Sequence, residues 1–182
     1  MLQVLENFDG ALLLAIQQLH RPWLDGLLCV YTKMGDAGLV WIALSLLLLC
    51  RKSTRRAGCM ALLALGLGFL FTNVALKNLV ARPRPWLELE GLLPLVFEGD
   101  PNSFPSGHTT SAFAAGVSWF FCAKNRWLKV SSLFAAAAMG FSRLYVGVHY
   151  PLDVLAGVLV GTLAAVLARA ILRKAQKRRK AG

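Results

Sequence analysis

Apolar residues run in long blocks along the chain, broken by short polar stretches. Five such blocks occupy about 37–50, 57–81, 106–123, 130–146 and 152–172. A helix needs about 20 apolar residues to cross a hydrocarbon layer about 30 Å thick, and four of the blocks approach or exceed that length. The first is shorter and can begin earlier. Upstream, Leu5, Phe8, Leu12, Ile16 and Leu19 recur at helical spacing, while Glu6, Asp9, Gln17 and Gln18 fall between them. That pattern predicts an amphipathic helix along the membrane interface, with a short sixth span through Asp9–His20 as the alternative. Arg21-Pro22 and Met34-Gly35-Asp36 read as turns. The pattern predicts an all-α, polytopic transmembrane helix bundle of five or six spans. It forms one domain over 1–182, with an N-terminal region at 1–35 and a basic tail at 173–182.

Composition supports a membrane protein: 57% of the 182 residues are hydrophobic and the mean hydropathy is +0.56. The net charge of +11 would raise nucleic acid as a partner in a soluble protein. Here its distribution gives another cause. Arg51–Arg56, Lys124–Lys129 and Arg169–Lys180 hold four, three and seven of the 20 Lys and Arg and no acidic residue. Cytoplasmic flanks are rich in these cations, so the three stretches are expected inside, with the C-terminus. The partners expected are membrane lipids and not nucleic acid. The N-terminus lacks a basic stretch, so no cleaved signal peptide is expected. Cys29, Cys50, Cys59 and Cys122 lie scattered in apolar surroundings, without ligand or disulfide spacing, and read as packing residues.

From this orientation, the remaining polar clusters meet one membrane face, the extracytoplasmic one. The block 57–81 ends there with Lys77, 106–123 starts there beside His108, 130–146 ends there at Ser142-Arg143, and 152–172 starts there beyond His149. Lys77, Arg82, Arg84 and Arg143 are four of the six cations outside the cytoplasmic stretches, and guanidinium forks suit tetrahedral oxyanions. Ser106-Gly107 precedes an apolar helix, whose free N–H groups favour a phosphate. Residue by residue, a plainer reading stays open: Ser106 as a helix cap and the arginines on lipid headgroups.

His149 stands four residues before Asp153, with Pro151 suited to a first helical turn. A carboxylate on Nδ1–H leaves Nε2 free as base or nucleophile, and His108, from another span end, can act as general acid. In-line attack on phosphorus between them is feasible. The two histidines and Asp153 could also be read as a metal set, but the surrounding cations repel a divalent ion, so no metal or cofactor is expected. His20 stands alone and carries no expected role. Trp86, Trp119 and Trp127 suit interfacial anchoring.

Taken together, Lys77-x6-Arg84-Pro85, Pro105-Ser106-Gly107-His108 and Ser142-Arg143-x5-His149-x3-Asp153 resemble the type 2 phosphatidic acid phosphatase superfamily over 57–172. The resemblance implies a metal-independent lipid phosphatase with its catalytic core in that region. It implies His149 as the nucleophile forming a phosphohistidine, Asp153 as its orienting carboxylate and His108 as the acid. Lys77, Arg84, Ser106, Gly107 and Arg143 would hold the phosphoryl oxygens, with Arg82, outside the motif, as a candidate for an additional phosphate contact. The substrate class implied is a lipid phosphate or diphosphate: undecaprenyl diphosphate first, phosphatidylglycerophosphate or phosphatidate next. A vanadate-dependent haloperoxidase and a non-catalytic lipid-binding protein are the alternatives of other classes.

Overall fold

The computed structural model describes residues 2–181, with side chains from 7 to 178. Leu5 and Glu6 of the expected amphipathic face, and Arg179 and Lys180 of the basic tail, lie outside the described side chains. All regular structure among the described residues is helical: α1 (Leu2–Gln17), α2 (Pro22–Met34), α3 (Leu39–Leu49), α4 (Arg55–Phe69), α5 (Lys77–Val80), α6 (Pro85–Glu88), α7 (Gly107–Cys122), α8 (Arg126–Tyr145) and α9 (Pro151–Ala181). A 3-10 turn, Asp36–Gly38, joins α2 to α3, and those two helices meet at a 51° bend. A π-helical stretch, Leu70–Leu76, joins α4 to α5 without a break, so Arg55–Val80 is one continuous helical run. By length and composition, Arg55–Val80 and Pro151–Arg178 can each cross a membrane, and the bent α2–α3 pair can supply a third crossing.

α7 is the hub, packed against α4, α8 and α9. Its sequence explains why. Ala112, Ala114, Ala115, Gly116 and Ser118 are buried, and small side chains let neighbouring backbones close in where lipid supplies no hydrophobic drive. Ala61, Ala64, Ala136, Ala165 and Ala168 meet them from the other helices. The outward positions are the large ones, among them Phe69, Phe134, Leu159 and Leu163, each more than half exposed. Apolar side chains outside and small ones inside are what a helix bundle in lipid requires.

α1 forms where the periodicity predicts it. Phe8 and Leu12 point outward, while Leu13 and Asp9 are buried. In lipid the apolar row is the outward-facing one, so the polar member of the helix turns to the protein. Trp119, expected as an interfacial anchor, packs instead against buried Trp41, with ring centroids 5.8 Å apart. Trp127 does stand exposed, at the start of α8. His20 pins the end of α8, its Nε2 lying 2.8 Å from the Tyr145 carbonyl. The four cysteines are free thiols.

Candidate active site

His149 sits in the short turn between α8 and α9 and is almost wholly buried. Pro151 opens α9, which sets Asp153 in its first turn, one helical repeat from the histidine. The carboxylate is anchored there by the Tyr150 N–H, which donates to Oδ2 at 2.9 Å. The same oxygen lies 3.5 Å from His149 Nδ1. On the other side of the ring, Arg84 NH1 is 3.0 Å from Nε2. A guanidinium can only donate, so Nε2 is the acceptor and the ring proton belongs on Nδ1, facing Asp153. Burial, reinforced by the positive charge of Arg84 and Arg143, holds the His149 imidazole well below its ordinary value of 6.5. It is neutral at physiological pH, with its lone pair on the Arg84 side.

The cations gather around that lone pair. Arg84 is itself buried, steadied by its NH1 bond to the Val148 carbonyl at 2.9 Å and its Nε bond to the Asp100 carbonyl at 3.0 Å. Arg143, fully buried at the end of α8, donates to Thr32 Oγ1 and to Glu98, while its Nε has no partner among the described residues. Lys77, first residue of α5, pairs with Asp100. Burial pushes the Asp100 carboxyl up, but the Lys77 ammonium and the Asn102 N–H outweigh it, and the net shift is downward.

His108 enters from the first turn of α7, its Nε2 2.9 Å from Asp36 Oδ1. The chain passes close to it at Gly35, where an added Cβ would lie 2.9 Å from the His108 ring. Ser106 caps α7: its Oγ accepts from the Thr109 N–H at 3.3 Å and from Thr109 Oγ1 at 2.9 Å. Its own N–H donates to the Asp153 carbonyl at 3.0 Å, which ties α7 to α9 at the site. Gly107 follows at the first helical position, where N–H groups point out of the helix.

Arg82, the candidate for an additional phosphate contact, has both terminal nitrogens on carboxylates. NH1 is 2.9 Å from Asp153 Oδ1 and NH2 is 2.7 Å from Asp9 Oδ2. Its guanidinium stacks 3.8 Å above the Tyr150 ring.

The structure thus brings Lys77, Arg84, His108, Arg143, His149 and Asp153 into one neighbourhood from five helix ends. Sequence reasoning missed the acidic set that joins them: Asp36, Glu98, Asp100 and Asp9. A signal was present. The chain has only nine acidic residues, none in the cationic stretches, and Glu98 and Asp100 share a loop with Arg84.

The PAP2 superfamily family model matches residues 57–177. An undecaprenyl-diphosphatase of Sulfolobus acidocaldarius is 32% identical over 139 residues, which cover 76% of this chain and 66% of that protein. Two crystal structures share the fold. The Aquifex aeolicus LpxE structure has a TM-score of 0.79 at 28% identity, covering 88% of this chain and 93% of that one. The Bacillus subtilis PAP2-type phosphatidylglycerolphosphate phosphatase has a TM-score of 0.77 at 28% identity, covering 94% and 87%. A buried neutral imidazole ringed by cations, on a helix bundle shared with these proteins, places the chain in the PAP2 superfamily as a membrane lipid phosphatase.

Proposed function

We propose that the protein converts undecaprenyl diphosphate to undecaprenyl phosphate at the extracytoplasmic membrane face, through a phosphohistidine on His149. The observation that carries this reading is the position of Arg84, which faces the Nε2 lone pair from the side where phosphorus would sit. When a terminal phosphoryl group enters, its oxygens would take over the donors of Arg84, Arg143 and Lys77 from their present partners, with the Gly107 N–H at the start of α7 adding to them and Ser106 holding that turn in place. Nε2 then attacks phosphorus as the bond to the bridging oxygen breaks. His108 supplies the proton to that leaving oxygen, which stands where Asp36 now accepts. Asp153 holds the Nδ1–H and offsets the positive charge that the ring gains. Water activated by His108 then cleaves the N–P bond, releases inorganic phosphate and restores both histidines.

Residues 57–172 form the catalytic core of a bundle of five or six spans, and the basic tail at 173–182 is cytoplasmic. A cavity of about 710 Å³ lies apart from the site, with none of the site residues in its walls and Arg56 and Lys124 of the cationic flanks among them. Its walls include Met34, Val40, Trp41 and Leu44, and it reaches Arg169 and Arg173 at its far end.

The diphosphate reading follows the name of the Sulfolobus relative. Phosphatidylglycerophosphate is the second reading, favoured by the 94% coverage of the Bacillus subtilis fold match. Phosphate release by purified protein across polyprenyl diphosphates, phosphatidylglycerophosphate and phosphatidate decides between them. A large preference for the diphosphate is expected, and equal rates on all three would overturn it. His149→Ala should abolish both turnover and a trappable phosphoenzyme.

A further inference from the structure

We infer that Arg82 and Asp9 are positioning residues for the catalytic pair, forming a carboxylate–guanidinium–carboxylate chain through which α1 holds Asp153 on His149. The inference rests on the proposed roles of His149 and Asp153. The links up to Asp153 are direct contacts, and Asp153 in turn lies 3.5 Å from His149 Nδ1. Asp9 Oδ1 accepts from the Leu152 N–H at 2.9 Å, which docks α1 onto the first turn of α9. Asp9 Oδ2 lies 2.7 Å from Arg82 NH2, and Arg82 NH1 lies 2.9 Å from Asp153 Oδ1. Asp153 Oδ2 is left for the Tyr150 N–H and for His149 Nδ1.

Burial makes the arrangement exacting. Asp9 is 1% exposed and Asp153 fully buried, and two carboxylates without a cation between them would be expensive to hold there. Arg82 is fixed in turn from three sides. Its guanidinium rests on the Tyr150 ring, and its carbonyl accepts from the Ser103 N–H at 2.7 Å and the Ser103 hydroxyl at 3.2 Å. The chain carries two negative charges against one positive, so a net negative charge remains behind His149, on the side opposite Arg84. That charge opposes the cations that face the ring, namely Arg84, Arg143 and Lys77. Since both Arg82 nitrogens are taken by carboxylates, its contribution is to Asp153 and not to a phosphate oxygen.

The test compares Arg82→Gln and Asp9→Asn in detergent-purified protein, with rates normalised to folded enzyme. The amide oxygen introduced by Asp9→Asn would still accept from the Leu152 N–H, so α1 stays docked while the charge on Arg82 loses one of its two counter-charges. Arg82→Gln should lower kcat on the order of 100-fold, as for a catalytic group displaced by about 1 Å, with KM within about twofold. The two variants should move the acid limb of the kcat/KM profile in opposite directions. Arg82→Gln leaves Asp153 uncompensated and raises the His149 limb; Asp9→Asn strengthens the cation behind Asp153 and lowers it. Histidine-selective NMR titration of His149 should show the same opposite displacements without turnover. A raised KM at unchanged kcat would make Arg82 a phosphate contact and overturn the inference. Lower thermal stability with an unmoved pH profile and His149 titration would make the chain merely structural, and would overturn it too. Neither outcome touches the phosphatase reading, which fails separately if His149→Ala retains turnover.

Discussion

Gly161→Ala should both destabilise the bundle and slow the enzyme, because α9 passes α7 there with no room for a methyl group. A Cβ at Gly161 would lie well inside contact distance of the Thr110 carbonyl oxygen and 2.9 Å from the Ala114 nitrogen, both backbone atoms of α7. Ordinary carbon–oxygen contact lies at about 3.5 Å, so the helices must part by about 1 Å. Gly157, one turn earlier, is in the same contact, with a Cβ position 2.8 Å from the Ser106 carbonyl. The spacing is that of the small-residue motifs by which membrane helices approach. Overpacking of this kind costs about 1–3 kcal/mol. α7 carries Ser106 and His108, and α9 carries Asp153, so the same displacement reaches the site and should lower kcat on the order of 100-fold. Gly66→Ala is the control, since nothing lies within 4 Å of its Cβ position on α4. Thermal unfolding and initial rates of phosphate release in one detergent compare the two variants. If Gly161→Ala unfolds and turns over like Gly66→Ala, the close-contact argument is wrong.

His149, neutral in the folded protein, predicts a pH effect on stability. Its folded value is depressed, so below pH 6.5 the unfolded chain binds a proton that the native site resists, and stability falls with falling pH by up to about 1.4 kcal/mol per unit. Unfolding temperatures from pH 7.5 to 5.0 should show this slope, and His149→Gln should flatten it. Glu98→Gln removes the counter-charge on Arg143 and should strengthen inhibition by inorganic phosphate several-fold; unchanged inhibition would mean that Glu98 does not compete with phosphoryl oxygens. Turnover should persist in EDTA, and loss restored by magnesium or zinc would contradict a reaction driven by histidines and cations alone.

The residues proposed to carry the chemistry were legible as a group because their spacings encode helix ends. Lys77, Ser106, Arg143 and Asp153 each terminate or begin an apolar block, and the chain's hydropathy already shows those blocks. Asp36, Glu98 and Asp100 were not legible in the same way. They sit in turns whose paths are set by tertiary packing, and each finds its partner, Arg143, Lys77 or the His108 imidazole, across a long stretch of chain. α1 was legible as a helix, but the inward role of Asp9 was not. Periodicity shows that a helix has two faces but not which one meets lipid, and Asp9 turned inward to find Arg82.

The π-helical stretch before Lys77 has its own bearing on how this family can be engineered. Its wider turns accommodate an additional residue ahead of the lysine, and such bulges recur at functional sites. Substitutions that force Leu70–Leu76 into regular α-helix at unchanged length would make it a better membrane element by itself. The side chain at the end would then swing by about 100° about the axis. The ammonium would point away from Asp100, so a stabilising repair of this helix disarms it.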